Sequence, residues 1–501
     1  MSDDRRPNLL FLYTDEQRFD TLACYGNEKI PMPNLNRFAE SATVFEKTYV
    51  TQPVCTPSRG TLLTGLYPHT HTCVQNNIPL PRKIPCLPEM LPEGYVCAHH
   101  GKWHLGDEIY AQHGFPEWVG TEDTYHRFYS EEHDEYADRS SYHHWLKSKG
   151  VEPWPINSSH ADADVARNRF FRNQIHQFPE EHCRPTYLAE TACHFLRGHM
   201  DTPFALYVNF LEPHMPFHSC RDDQVNFAEV DLPENAMEMP DEGTPLRLRM
   251  NAEKYRRGGY GDQDRLATEE DWRDLIARYW GMCSLVDTAV GRILDTLDRT
   301  GLSDNTIVVF TSDHGDMMSS HNLMGKGVMY EESTRVPLLI RTPGQTAAQR
   351  VTFPVSHVDL VPTLLDLMGQ PQPDHLEGDS LREAMEGDGE ACKRDVFVEW
   401  HNDKVPGEVN LPDWAKDIGP REKLAESVVA EVRTVVSPDG WKLNVSTAGE
   451  HELYDLNTDS AERTNRLRDP SQKDRVADLF GRIRRWQQRC GDRLLLPDPT
   501  A

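Results

Sequence analysis

The chain has 501 residues, 38% hydrophobic and 27% charged, the balance of a soluble globular protein with room for one large domain and a smaller one. Its formal net charge of -27, from 80 Asp and Glu against 53 Lys and Arg, excludes nucleic acid and anionic membrane surfaces as natural partners, so an anionic substrate needs a local cluster of positive charge. No apolar run is long enough to cross a bilayer, and the eleven cysteines are scattered without CxxC pairs, which predicts reduced thiols in a cytoplasmic protein.

The first predicted strand covers residues 8–14. Its unbroken apolar run suits a strand buried on both faces of a parallel α/β sheet, and is too short for a secretory leader. Asp15 and Glu16 then fall at the strand's carboxyl end, where ligands collect in such sheets. Pro57 and Gly65 frame a short helix that places Cys55 at its N-terminus, with Arg59 one turn on. Residues 121–168 and 219–271 read as polar insertions rimming a site, and 401–426 as a third. A helix starts at Trp272 and repeats apolar residues through Leu297, with Gly301 as its stop. The apolar strand 306–310 follows, then Ser312-Asp313-His314-Gly315. Asp15 and Asp313 therefore each sit just past a buried strand, and meet at one sheet edge if the two strands are parallel neighbours. Residues 355–368 read as a further core helix, and Gln370-Pro371-Gln372-Pro373 as a boundary. Beyond it, 432–436 and 441–445 flank Pro438-Asp439-Gly440 as a β-hairpin, and 475–489 form a closing amphipathic helix. The expected domains are 1–373 and 374–501.

A cysteine at a helix N-terminus beside an arginine is a nucleophile position in an electropositive pocket, set against the commoner fate of a buried structural thiol. Cys55-Thr56-Pro57-Ser58-Arg59 matches the Cys-x-Pro-Ser-Arg signature of the type I sulfatases. Gly94-Tyr95 and Gly101-Lys102-Trp103-His104 resemble that family's second signature, with His104 one residue earlier than its pattern has it. Asp15, Pro213-His214, Ser312-Asp313-His314-Gly315, Gly325-Lys326 and the terminal Glu452-Leu453-Tyr454-Asp455-Leu456 follow in the family's order, so the resemblance spans almost the whole chain.

That resemblance implies an alkaline-phosphatase-like α/β sandwich with a large, mixed, mostly parallel sheet and a smaller C-terminal α+β domain. It implies hydrolysis of sulfate esters, arylsulfatase-like in range, with Cys55 converted to formylglycine by a separate maturing enzyme. A hydrated aldehyde has two hydroxyls on one carbon: one attacks sulfur, and the other loses its proton as sulfate leaves. Asp15, Glu16, Asp313, His314 and residue 55 are the implied ligands of one divalent metal ion, Ca²⁺ first, with Mn²⁺ or Mg²⁺ as alternatives. Arg59 and Lys102 would hold the hydrate and the sulfate oxygens, His104 would take the proton on collapse, and His214 and Lys326 would contact the ester oxygen. Asn76 and Asn77 fall where relatives contact substrate. His99 and His100 are expected to be structural, and Trp103 to pack. Two other functions are weighed: phosphonate monoester or phosphodiester hydrolysis on the same site, and a non-catalytic anion-binding protein with an unmodified Cys55. The polar insertions and the terminal helix leave room for a homo-oligomer.

Overall fold

The computed structural model describes residues 6–123, 125, 128–130, 133, 138–153, 178–257, 266–402 and 404–500. The first strand, β1 (Asn8–Asp15), is buried along its whole length. Its odd residues Leu9, Phe11 and Tyr13 enter one core, and its even residues Leu10 and Leu12 enter another. That is the two-sided burial expected of a central strand, because successive side chains of a strand point to opposite faces.

Around β1 lie β2 (Thr43–Tyr49), β3 (Val96–Gly101), β4 (Glu117–Gly120), β5 (Phe204–Pro213), β6 (Thr306–Ser312), β7 (Arg335–Val336), β8 (Leu338–Arg341) and β9 (Gln349–Ser356). They form a nine-stranded sheet ordered β4-β3-β5-β1-β6-β8-β2-β7, with β9 paired to β2. The run from β4 to β6 is parallel, while β8 is antiparallel to both β6 and β2. One face carries the helices Pro33–Ala39, Arg184–Gly198 and Glu269–Arg299, and the other carries Cys55–Thr64 and Leu360–Leu367. A second sheet, β10 (Val396–Trp400), β11 (Val432–Val436), β12 (Trp441–Ser446) and β13 (Glu452–Asp455), is antiparallel throughout. The closing helix Lys473–Cys490 covers it through Val476, Leu479, Ile483 and Trp486.

β1 and β6 are parallel neighbours, with Thr14 opposite Ser312. The long helix starts at Glu269, three residues earlier than its apolar repeat suggests, because Thr268 and Asp271 form a capping box. One expected element is corrected. Residues 355–368 are not one helix: Val355 and Ser356 end β9, opposite Thr48 and Tyr49 of β2, and the helix runs only over Leu360–Leu367. Within the expected insertions, Ser141–Ser148, Leu246–Arg257 and Arg421–Val429 are helical. Residues 154–168 and 258–265 of those insertions lie outside the described residues.

Candidate active site

The site is built where β1 and β6 end. The backbone N–H of Asp313 donates to Thr14 O at 3.0 Å, which fixes the two strand ends together. Cys55 opens the helix Cys55–Thr64, and Gly65 ends it at φ 68°. Its Sγ is buried, 3.3 Å from His314 Nε2 and 3.7 Å from Asp15 Oδ1. His314 Nε2 in turn lies 3.7 Å from Asp15 Oδ1 and 3.6 Å from Asp313 Oδ1. Asp15, Cys55, Asp313 and His314 thus offer four ligand atoms within 4.8 Å of one another. Two carboxylates, one imidazole and the atom borne by residue 55 make a donor set that suits a hard or borderline divalent ion.

Two cations lie behind this group. Arg59 is fully buried and spreads its guanidinium over four acceptors: Asp313 Oδ2 at 2.9 Å, Asp15 Oδ2 at 2.8 Å, Asn209 Oδ1 at 2.7 Å and Lys102 O at 2.9 Å. Lys102 Nζ donates to Asp15 Oδ2 at 2.5 Å. Burial opposes the Asp15 charge, yet Lys102, His214 and Arg59 outweigh it and hold the carboxyl well below its usual pKa. Burial likewise opposes the Lys102 charge, and Asp15 reverses the effect, so the ammonium titrates well above its usual value. The Cys55 thiol moves the other way. Burial and then Asp15 push it up, against Lys326 and Lys102, so it rests protonated and is a poor nucleophile as a thiol.

Lys102 and His104 follow β3 on a tightly held turn. Gly101 has φ 112°, and a Cβ there would lie 1.9 Å from Asn209 O. His104 has a left-handed φ of 61°, held by Glu108, whose carboxylate accepts from Trp103 N and His104 N at 2.6 Å each. Burial, then Lys102 and Arg59, depress the His104 pKa, so the ring is neutral. Trp103 packs in the core against His99, Phe115 and Trp118. His99 and His100 are buried on β3.

At the mouth, His214 and Lys326 keep 18% and 14% of their side chains exposed, whereas Glu16 keeps none. Glu16 Oε2 receives Lys326 Nζ at 2.8 Å and lies 3.3 Å from His214 Nε2. Glu16 groups with Asp15 and His214, not with Asp313 and His314, and its Oε1 is buried with no hydrogen-bond partner among the described residues. Burial raises the Glu16 pKa well above its usual value, against the pull of Lys326. Burial lowers Lys326, but Cys55, Glu16 and Asp15 more than compensate, so its ammonium stays charged. His214 is pushed well down by burial and by Lys326.

Asn76 and Asn77 brace the nucleophile helix. Asn76 Oδ1 accepts from Thr56 N at 3.0 Å, and Asn77 N donates to Thr56 Oγ1 at 3.1 Å. The residues named from the sequence for catalysis, metal and substrate therefore lie in or against this cluster, and His99, His100 and Trp103 lie in the core. Sequence reasoning missed Asn209, Glu108 and Tyr125, whose ring stacks on His104 at 4.1 Å. Asn209 had a signal, as the lone polar residue in the apolar run of β5. Glu108 and Tyr125 had none, since each is one acid or one tyrosine in a polar stretch.

A buried nucleophile position among paired carboxylates and fixed cations, at the carboxyl edge of a mostly parallel sheet, defines an α/β hydrolase for anionic esters. The family model described as Sulfatase matches residues 7–370, and the chain belongs to that family of sulfuric ester hydrolases. It is 28% identical over 492 residues to a sulfatase of Escherichia coli described as uncharacterized, covering 93% of this chain and 84% of that one. It is 26% identical over 492 residues to an arylsulfatase of Clostridium perfringens, covering 94% and 92%. Among solved structures, the phosphonate monoester hydrolase of Silicibacter pomeroyi shares the fold with a TM-score of 0.75 at 23% identity, covering 99% of this chain and 96% of that one. No helix among the described residues is long and apolar enough to cross a membrane.

Proposed function

We propose that this chain hydrolyses aryl-type sulfate esters with a formylglycine made from Cys55 by a maturing enzyme. The observation that carries this reading is the setting of Cys55 Sγ, within 3.7 Å of Asp15 Oδ1 and 3.3 Å of His314 Nε2, with Arg59 and Lys102 bound to Asp15 behind it. A thiol raised in pKa at this position is idle, whereas an aldehyde hydrate supplies two hydroxyls, one to attack and one to release.

The donor set of Asp15, Asp313, His314 and residue 55 fits a divalent ion, Ca²⁺ first and Mn²⁺ or Mg²⁺ as alternatives; such an ion supplies Lewis acidity to the ester oxygens. Glu16 stands apart from that set, its Oε2 held by Lys326 and its Oε1 without a partner among the described residues. Arg59 and Lys102 fix the carboxylates and present positive charge where sulfate must bind. Neutral His104 accepts the proton on release. His214 and Lys326, at the exposed mouth, meet the leaving oxygen, and the charged Lys326 donates to it. We divide the chain into a catalytic unit, 1–373, and a C-terminal unit, 374–501, on the strength of its two separate sheets. The eleven free thiols support a cytoplasmic home.

A second reading, phosphonate monoester or phosphodiester hydrolysis on the same site, draws on the shape shared with the phosphonate monoester hydrolase. The test compares catalytic efficiency of the matured protein on an aryl sulfate and an aryl phosphonate monoester. The proposal expects the sulfate to be favoured, and dominance of the phosphonate would replace it with the second reading.

A further inference from the structure

His104 is held from two sides. Its Nε2 lies 2.9 Å from Asn77 Oδ1. An amide oxygen only accepts, so Nε2 carries the hydrogen, and in a neutral imidazole that leaves Nδ1 as the bare lone pair. Nδ1 is buried and has no hydrogen-bond partner among the described residues. The second hold is the Tyr125 ring, stacked on the imidazole at 4.1 Å and 26° and lying 5.6 Å from Lys102 Nζ. A circuit of hydrogen bonds ties the arrangement to the nucleophile helix: Thr56 Oγ1 donates to His104 O at 2.7 Å and accepts from Asn77 N at 3.1 Å. Asn77 itself has a left-handed φ of 68°, so turn and ring are fixed together.

We propose that Asn77 is a positioning residue that selects the Nε2–H tautomer of His104 and so makes Nδ1 the proton acceptor of the reaction, with Tyr125 fixing the ring plane. This rests on the proposed hydrolysis for its chemical meaning, but the tautomer itself does not. In the release step the proton of the hydroxyl at residue 55 passes to Nδ1. The electrons of that O–H bond form the carbonyl, and the carbon–oxygen bond to sulfate breaks with its electron pair leaving on sulfate. His104 ends as imidazolium and the sulfate as a dianion. Without Asn77 the proton is free to sit on Nδ1, where it blocks acceptance. An orienting acceptor behind a histidine base acts through tautomer and not through charge alone.

The test is nitrogen NMR of histidine-labelled protein with Cys55 unmodified, the His104 signals being assigned by their loss in His104→Gln. Wild type is expected to show protonated Nε2 and bare Nδ1, Asn77→Asp to keep that pattern because it keeps an acceptor oxygen, and Asn77→Leu to lose it. In matured protein, kcat should fall about 100-fold in Asn77→Leu, with KM changed less than about threefold, and Asn77→Asp should recover most of it. Tyr125→Ala should lose about tenfold, and Tyr125→Phe, which keeps the stack, should recover most of that loss. A wild-type spectrum with the hydrogen on Nδ1 overturns the inference, and so does unaltered turnover in a folded Asn77→Leu. If Asn77→Leu does not fold, the wild-type spectrum still decides. If matured wild type does not hydrolyse sulfate esters, the proposed function fails while the tautomer result stands by itself.

Discussion

Asp15 divides its two carboxylate oxygens between two tasks. Oδ2 receives Lys102 Nζ at 2.5 Å and Arg59 Nη2 at 2.8 Å, while Oδ1 faces Cys55 Sγ and His314 Nε2, each at 3.7 Å. One oxygen holds the cations, and the other faces residue 55 and His314, free for the proposed metal and nucleophile. The arrangement keeps a buried carboxylate charged without using up its ligand capacity.

Arg59 is the test of that balance. Arg59→Ala leaves Asp15 and Asp313 buried with Lys102 as the remaining strong cation bound to Asp15, so the unfolding free energy should fall by about 3–5 kcal/mol in urea titration. Arg59→Lys keeps the charge, but one ammonium does not span Asp15, Asp313, Asn209 and the Lys102 carbonyl. Turnover in that variant should still fall about 100-fold or more.

Metal binding should be visible without turnover. A divalent ion at about 100 times its Kd stabilises a fold by about 2.7 kcal/mol, so a chelator should lower the Tm of wild type. Asp313→Asn removes one of the four grouped ligand atoms and should abolish most of that chelator-dependent shift. Calorimetry with and without added Ca²⁺ measures both.

A pH effect should arise far from the reaction centre. His69 pairs with Glu399 of β10 at 2.5 Å and joins the region after the nucleophile helix to the second sheet. Burial lowers its pKa, but Cys490 and Glu399 more than offset this and carry it up to about 11. The folded state therefore binds the proton more tightly than the unfolded one. The stabilisation is complete below about pH 6.5 and is lost as pH rises from there through about 11. Tm should decline over that window in wild type and decline less in His69→Gln; equal slopes would rule out the pairing as the cause.

Gly101→Ala should be among the most damaging small substitutions. Its Cβ would meet Asn209 O at 1.9 Å from a backbone with φ 112°, so β3 must part from β5 and Lys102 must move. A loss of about 3 kcal/mol or more in stability is expected, with activity lost at temperatures where the variant is still folded.

Much of this was legible in the sequence for identifiable reasons. β1 and β6 announce themselves as apolar runs that end in acids, and their parallel pairing brings Asp15 and Asp313 together. The long helix shows through its repeat, and the hairpin through its turn at Gly440, which has φ 85°. The merging of β9 with the following helix had a cause: both are apolar, and the break between them is a capping turn at Ser356 and Asp359 that leaves no gap in hydrophobicity. Asn209, Glu108 and Tyr125 stayed hidden because their roles depend on partners distant in the chain or on one backbone turn, which no local pattern records. The turn of Glu16 towards Lys326 is likewise a tertiary outcome, set by a loop more than half the chain away.

The most direct measurement follows the fraction of Cys55 converted, by peptide mass, against the rate of aryl sulfate hydrolysis in preparations matured to different extents. Turnover proportional to the aldehyde fraction, and absent from Cys55→Ala, is the expected result. Full turnover by protein that carries an intact thiol at residue 55 would contradict the account.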